Sequence, residues 1–233
     1  MNMKKMKMTV TALSMLLIMG SCGTSTKTGT AAGAGAGAAL GAIVGGLLNN
    51  SHRGTGAAVG AAIGAAVGGV AGNRIGAHMD KVKAQTEAQV KNAQVETVTD
   101  ANGLSAVKVT FDSGILFPTN GYTLNSNAKN DLAKFATVLK SNTDCQVDIQ
   151  GYTDNTGNDG INLPLSENRA KSVYNYLTSC GVQAGQFKNI QGFGSTNPVA
   201  DNTTAAGRQQ NRRVEVYLYA SQEMVNKANN GTL

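Results

Sequence analysis

From Val95 onward the apolar positions fall into short periodic runs that specify elements. Val107, Val109 and Phe111 alternate with Lys108 and Thr110, the period of a half-buried strand, and the Asp100-Ala101-Asn102-Gly103 run before them reads as a hairpin turn. Leu124, Ala128, Leu132, Phe135, Ala136 and Leu139 recur at helical spacing behind Asn125 or Ser126 as N-cap, which predicts a helix to about Ser141. Val147 and Ile149 mark a buried strand from Cys145 to Gly151, and Ser166 as N-cap followed by Ala170, Val173, Tyr174 and Leu177 predicts a second helix stopping at Gly181. Two further strands follow, Ile190 to Phe193 and Arg213 to Tyr219. In the latter, Val214, Val216 and Leu218 oppose Arg213, Glu215, Tyr217 and Tyr219, as on a strand with one wet face. The order strand, helix, strand, helix, strand, strand predicts an α+β sandwich with helices on one side of a mixed sheet.

Upstream the pattern changes. Glycine recurs every fourth residue at Gly29, Gly33, Gly37, Gly41 and Gly45, and again at Gly56, Gly60, Gly64, Gly68, Gly72 and Gly76. Glycines at that spacing line one helical face and let backbones approach, which matters most in lipid; in water so much glycine weakens a helix. The polar break Asn49-Asn50-Ser51-His52-Arg53 suggests two antiparallel helices, a hairpin that resembles the glycine-zipper segments of periplasmic lipoproteins. A flexible low-complexity spacer is the alternative reading, because alanine and glycine bury little surface. From His78 to Gln94, Lys81, Lys83, Glu87 and Lys91 are interspersed with Val82, Ala84, Ala88 and Val90, which suits a solvated helical spacer. The expected division is a signal peptide (1–21), a lipidated N-terminus and linker (22–28), a glycine-zipper hairpin (29–77), a helical linker (78–94), the α+β domain (95–221) and a flexible C-terminal tail (222–233).

The extreme N-terminus carries the chemistry of export. Lys4, Lys5 and Lys7 precede an apolar run from Val10 to Met19, too short to cross roughly 30 Å of hydrocarbon comfortably, and small residues follow. Met19-Gly20-Ser21-Cys22-Gly23 resembles a lipobox, in which the cysteine is diacylated and becomes the mature N-terminus. Met19 stands where leucine is commonest. Each buried methylene of an acyl chain contributes about 0.8 kcal/mol of membrane affinity, so two or three chains make an anchor. No acidic residue follows Cys22 directly, which favours an outer-membrane protein facing the periplasm over one displayed at the surface. Loss of the three leader lysines takes 20 basic residues to 17 against 14 acidic, lowering the net charge from +6 to +3, so nucleic acid has no electrostatic footprint to bind. With Cys22 lipidated, Cys145 and Cys180 remain as an even pair in an oxidising compartment and are candidates for a disulfide.

The residues after Gly151 resemble a known family. Gly151-Tyr152-Thr153-Asp154, then Asn162, then Leu165-Ser166-Glu167-Asn168-Arg169-Ala170 look like the central motif of the OmpA C-terminal domain family, shared with Pal and MotB. The likeness continues through Gly192-Phe193-Gly194, Pro198, Asn202, Gly207-Arg208 and Asn211-Arg212-Arg213-Val214-Glu215, spanning roughly Val107 to Tyr219 in order. It implies an OmpA-like β-α-β-α-β-β fold and non-covalent binding of peptidoglycan through the diaminopimelate of its stem peptide. That side chain ends in an ammonium and a carboxylate, so its receptor needs an acid and a base on facing elements. The resemblance assigns the ammonium to Asp154 and the carboxylate to Arg169, with Thr153 and Asn162 in support and Arg212 also reaching the ligand. Phe117-Pro118-Thr119-Asn120 corresponds to a family Phe-Asp-x-Asn pattern, placing Thr119 and Asn120 near the ligand, with Pro118 in place of the acid. Arg208 and Arg213 remain open between ligand contacts and a solvated basic edge.

Catalysis and metals find little footing. A calcium loop starting at Asp154 lacks glycine at its sixth position and glutamate at its twelfth. His52 and His78 lie in or just after the glycine-rich region, with no nucleophile or zinc-ligand cluster beside them in sequence. The expectation is a non-enzymatic tether without cofactor or metal, lipid at one end and peptidoglycan at the other. The alternatives are a membrane-inserted or oligomeric assembly or pore protein built on the zipper, which leaves homo-oligomerisation open, and, more distantly, a peptidoglycan hydrolase using Asp148, Asp154 or Asp159.

Overall fold

The computed structural model describes residue 67 and residues 69–233. The signal sequence, Cys22, the first zipper run and most of the second lie outside the described residues.

Among the described residues, five strands form one mixed sheet. β1 (Gln94–Thr99) and β2 (Ser105–Asp112) make the expected hairpin; β3 (Cys145–Gly151), β4 (Phe187–Gly192) and β5 (Arg213–Ala220) complete the order β1-β2-β5-β3-β4. Only β3 and β4 run parallel. The register puts Val107 beside Leu218, Val109 beside Val216 and Phe111 beside Val214. Val147 and Ile149 continue those rows from the other flank of β5, so alternation along each strand collects the apolar side chains on one face. Helices cover that face: α1 (Val70–Gln89), the short α2 (Ser113–Leu116), α3 (Ser126–Ser141), α4 (Asp159–Ser179), α5 (Ala205–Asn211) at the rim, and α6 (Gln222–Asn230). The core between them includes Phe111 and Phe135, whose rings meet edge to face 5.9 Å apart, with Leu132, Leu139, Ile149, Leu177 and Met224.

Four expectations are corrected. First, the spacer helix is part of the core. α1 begins at Val70, and Ala71, Ile75, Met79, Val82 and Thr86 form one buried stripe at spacings of four, four, three and four. That stripe straddles the boundary expected at residue 77, so neither half alone looked amphipathic. Gly72 and Gly76, the last zipper glycines, ride on this helix.

Second, the C-terminal tail is helical. Ser221 caps α6 by accepting a hydrogen bond from the Met224 N–H, Gly231 ends it in the left-handed conformation, and Met224, Val225 and Ala228 are buried. Arg74 of α1 donates to the Ala228 carbonyl at 2.7 Å, fastening the two helices.

Third, α4 starts seven residues before the expected cap at Ser166. Asn158 caps it by accepting from the Ile161 N–H, and Pro164 lies inside. Ser166 is fully buried; its hydroxyl donates to the Leu163 carbonyl and accepts from the Gly194 N–H. The hydroxyl thus ties helix to loop.

Fourth, Cys145 and Cys180 are free thiols. Cys145 is buried with its sulfur 4.0 Å from that of Met79 on α1, whereas Cys180 sits at the C-cap of α4. The strand start and the helix end do not bring the two sulfurs together.

The opposite face of the sheet is drier than its alternation suggested. Arg213 and Glu215 are buried and paired through Nε and Oε1 at 2.7 Å, and Tyr217 donates to the other carboxylate oxygen. The Arg213 guanidinium lies 3.8 Å from the ring centre of Tyr152, which in turn stacks on Phe193. Asp148 accepts from Asn189 and Tyr219. Among the described residues no helix is long and apolar enough to cross a membrane.

Candidate functional site

β2 and β3 end, and β5 begins, at one rim of the sheet. There the Ser113 N–H donates to the Arg212 carbonyl and the Tyr152 N–H to the Arg213 carbonyl, so the segments leaving the three strands stay side by side. α4 crosses them closely. A side chain at Gly151 would collide with the Ser166 backbone, and one at Gly192 with the backbone of Glu167. Glycine at both places lets the helix carrying Arg169 settle onto the strands beside the segment carrying Asp154.

The result is a cleft of about 680 Å³. All seven residues singled out from the sequence line it: Thr119, Asn120, Thr153, Asp154, Asn162, Arg169 and Arg212. Pro118, standing where the family pattern has an acid, also lines it. The Pro118–Gly121 segment is a tight turn, closed by the Gly121 N–H donating to the Pro118 carbonyl at 2.9 Å, with Asn120 in the left-handed region at φ 57°.

Asp154 is not paired with Arg169. Its Oδ2 accepts a charge-assisted hydrogen bond from Nη1 of Arg212, and its Oδ1 accepts from the Thr156 N–H at 2.8 Å. Burial pushes its carboxyl up, but Arg212 and Thr156 outweigh that and hold it below the ordinary carboxylate value. Asn162 braces the loop from α4, donating to the carbonyls of Asp154 and Thr156.

Arg169 is 3% exposed and lies opposite. Its Nε donates to the Gly121 carbonyl at 3.0 Å, and its guanidinium sits 5.4 Å from the ring centre of Phe117. Burial, followed by the nearby charge of Arg212, makes its protonated form less favourable than usual. Its Nη1 is buried with no hydrogen-bond partner among the described residues. Thr153 Oγ1 and Ser113 Oγ share that condition, and both residues also line the cleft. Buried polar atoms are nearly always partnered, because each orphan costs about 1–3 kcal/mol. Three such atoms around one opening leave hydrogen-bonding capacity there that a polar ligand could take up.

The remaining arginines separate. Arg208 donates to the carbonyls of Asn202 and Thr203 at the cleft edge, while Arg213 turns to the far face of the sheet and belongs to the Glu215 network. Ser113, Thr156, Ile161 and Leu165 were not singled out from the sequence but line the cleft. The motif around Leu165 pointed toward that residue, whereas nothing local to Ser113 signals an orphan hydroxyl.

Two parts of the chain are similar to known proteins. Residues 116–212 match the model of the OmpA family, and residues 3–80 match that of the YMGG-like Gly-zipper. Residues 116–212 therefore carry an OmpA-family domain. The chain is 46% identical over 114 residues to the peptidoglycan-binding protein ArfA of Mycobacterium tuberculosis, covering 49% of this chain and 35% of that protein. It is 41% identical over 108 residues to the outer-membrane lipoprotein YfiB of Pseudomonas aeruginosa, covering 46% of this chain and 64% of that one. The chain thus matches about a third of the mycobacterial relative and under two thirds of YfiB. Among solved structures, the cell wall anchor of the T6SS from Pseudomonas aeruginosa is similar, with 28% identity and a TM-score of 0.50 over 61% of this chain and 97% of that one.

Proposed function

We propose that the protein tethers the outer membrane to the cell wall, with acyl chains on Cys22 in the periplasmic leaflet and the OmpA-family cleft gripping peptidoglycan. The observation that carries this reading is the trio of unpartnered buried polar atoms, on Arg169, Thr153 and Ser113, facing the Asp154–Arg212 pair across one opening. A stem-peptide diaminopimelate suits them. Its carboxylate can take the free Nη1 of Arg169, and its ammonium can approach Asp154, loosening Arg212 toward the same carboxylate. Thr153, Asn162, Thr119 and Asn120 fix its orientation. Charge-assisted hydrogen bonds of this kind contribute about 1.5–3 kcal/mol each. The wall repeats its ligand, and a membrane-bound receptor is confined beside it, so weak individual grips hold collectively.

Similarity to the peptidoglycan-binding protein ArfA and to the outer-membrane lipoprotein YfiB supports wall binding and an outer-membrane location respectively. Binding fits the cleft better than general-acid bond cleavage: Arg212 and Thr156 hold the Asp154 carboxyl below its ordinary value, and a general acid needs a carboxyl that keeps its proton.

The test is retention by purified sacculi of the full chain and of Arg169→Ala and Asp154→Ala. Both variants are expected to pass into the unbound fraction with circular dichroism unchanged. Retention equal to the unmodified protein would remove the assignment, and release of soluble muropeptides would replace binding with hydrolysis.

A further inference from the structure

We propose that His78, Asp144 and Cys145 form a binding site for a tetrahedral transition-metal cation of the Zn(II) class, fastening α1 to the start of β3. In the sequence His78 has no zinc-ligand cluster beside it. The fold brings it to the two residues that open β3. One donor atom from each, the imidazole nitrogen, a carboxylate oxygen and the thiol sulfur, lie within 4.8 Å of one another.

The spacing is informative. His78 Nε2 and Asp144 Oδ1 stand 3.6 Å apart. That is too long for a hydrogen bond, but close to the edge of a tetrahedron, about 3.4 Å, built on metal–ligand bonds of about 2.0–2.1 Å. Nε2 of His78 is buried and has no hydrogen-bond partner among the described residues. A cation between the two groups would satisfy that nitrogen.

The surroundings agree. Cys145 is 1% exposed and its sulfur touches the thioether of Met79 at 4.0 Å, so the site has a soft, dry wall. The His78 side chain is 24% exposed and leaves a route of entry. Lys227 is the competing cation, with Nζ 3.7 Å from Oδ2 of Asp144, the oxygen not facing His78. It is also engaged by Glu223 at 2.8 Å, which leaves Oδ1 to the metal. On binding, the Cys145 thiol releases its proton to water and its sulfur joins the metal; no redox change is involved. Three protein ligands leave a fourth position for water. Because α1 joins the N-terminal segment to the domain, a metal here would stiffen the connection between anchor and wall grip.

Cobalt(II) is the probe. Titrated into the reduced full chain in detergent, it is expected to give a near-ultraviolet thiolate-to-cobalt absorption saturating at one equivalent, with the intense visible bands of tetrahedral coordination. Zinc(II) should erase both, and in parallel raise the thermal midpoint. The absorption should persist in Cys22→Ser, Cys180→Ser and His52→Ala, vanish in Cys145→Ser, and require at least tenfold more cobalt in His78→Gln or Asp144→Asn. The last two residues are partly exposed, so their variants keep the fold, which retention by sacculi checks independently. Absence of the thiolate band in the unmodified protein, its survival in Cys145→Ser, or unchanged affinity in both His78→Gln and Asp144→Asn would overturn the site.

Discussion

Two sets of buried polar groups lie on this sheet, and they are finished differently. On the face away from the helices, every buried side-chain donor and acceptor of Arg213, Glu215, Tyr217, Asp148 and Tyr219 has a partner among the described residues. At the rim, Arg169, Thr153 and Ser113 each keep one buried atom without a partner. The first arrangement is closed and contributes to holding the sheet. The second is open and holds unsatisfied hydrogen-bonding capacity in reserve. Burial of charge therefore does not mark a site by itself; what sets the cleft apart is the clustering of three unmet partners around one opening, whereas the other orphans, on His78, Asn102 and Gln186, lie outside it.

Substitutions can break that contrast. The largest effect is expected from Glu215→Ala, which strands the buried Arg213 guanidinium and removes the acceptor of Tyr217. Breaking a buried pair from one side costs about 3–5 kcal/mol, readable as a lowered urea midpoint. Arg169→Ala should reverse the balance: affinity for wall fragments falls by about 1.5–3 kcal/mol, and the midpoint moves less than in Glu215→Ala. A large loss of stability in Arg169→Ala would make Arg169 scaffold as well.

Single hydroxyls sharpen the same comparison. Tyr217→Phe is expected to cost about 1 kcal/mol of stability because Glu215 loses a donor. Thr153→Val, nearly the same shape, should leave stability unchanged or raise it, since it deletes an orphan, while weakening retention by sacculi.

Acidity gives the smallest effect. Burial raises the Asp148 carboxyl despite the hydrogen bonds from Asn189 and Tyr219, and burial likewise raises Asp100. The folded state therefore holds protons on these groups that the unfolded chain has released, and stability rises slightly as pH falls from neutral toward the carboxylate range. Asp154 acts oppositely: its depressed value contributes stability above the ordinary carboxylate range, lost as pH drops through the folded value below about 4. Urea unfolding followed from pH 7 downward should show a shallow rise and then a fall; in Asp148→Asn the rise should shrink.

Much of this was legible in local pattern. The strands carrying Val107, Val147 and Val214 and the helix behind Asn125 lie where alternation and capping put them. The seven candidate ligand residues all line one cleft. Other features follow from equally local chemistry. Ser221 and Gly231 cap α6 by ordinary chemistry, and the α1 stripe runs unbroken from Ala71 to Thr86 once the expected boundary is removed. Ser166 misled because a serine before an apolar run looks like a cap, although its hydroxyl serves the Gly194 loop.

Periodicity, capping chemistry and the leader sequence by themselves determined the class of fold and the expected export route, while the residues expected to share a rim came from the resemblance of their motifs to the OmpA family. The local signals could do so because each depends on neighbours a few positions apart. Only the tertiary structure decided that Asp154 pairs with Arg212, 58 positions away, rather than with Arg169, and that His78 meets Cys145. The reason is physical: which charge satisfies which is set by where separate elements converge and how much water remains between them, and no local pattern carries that distance.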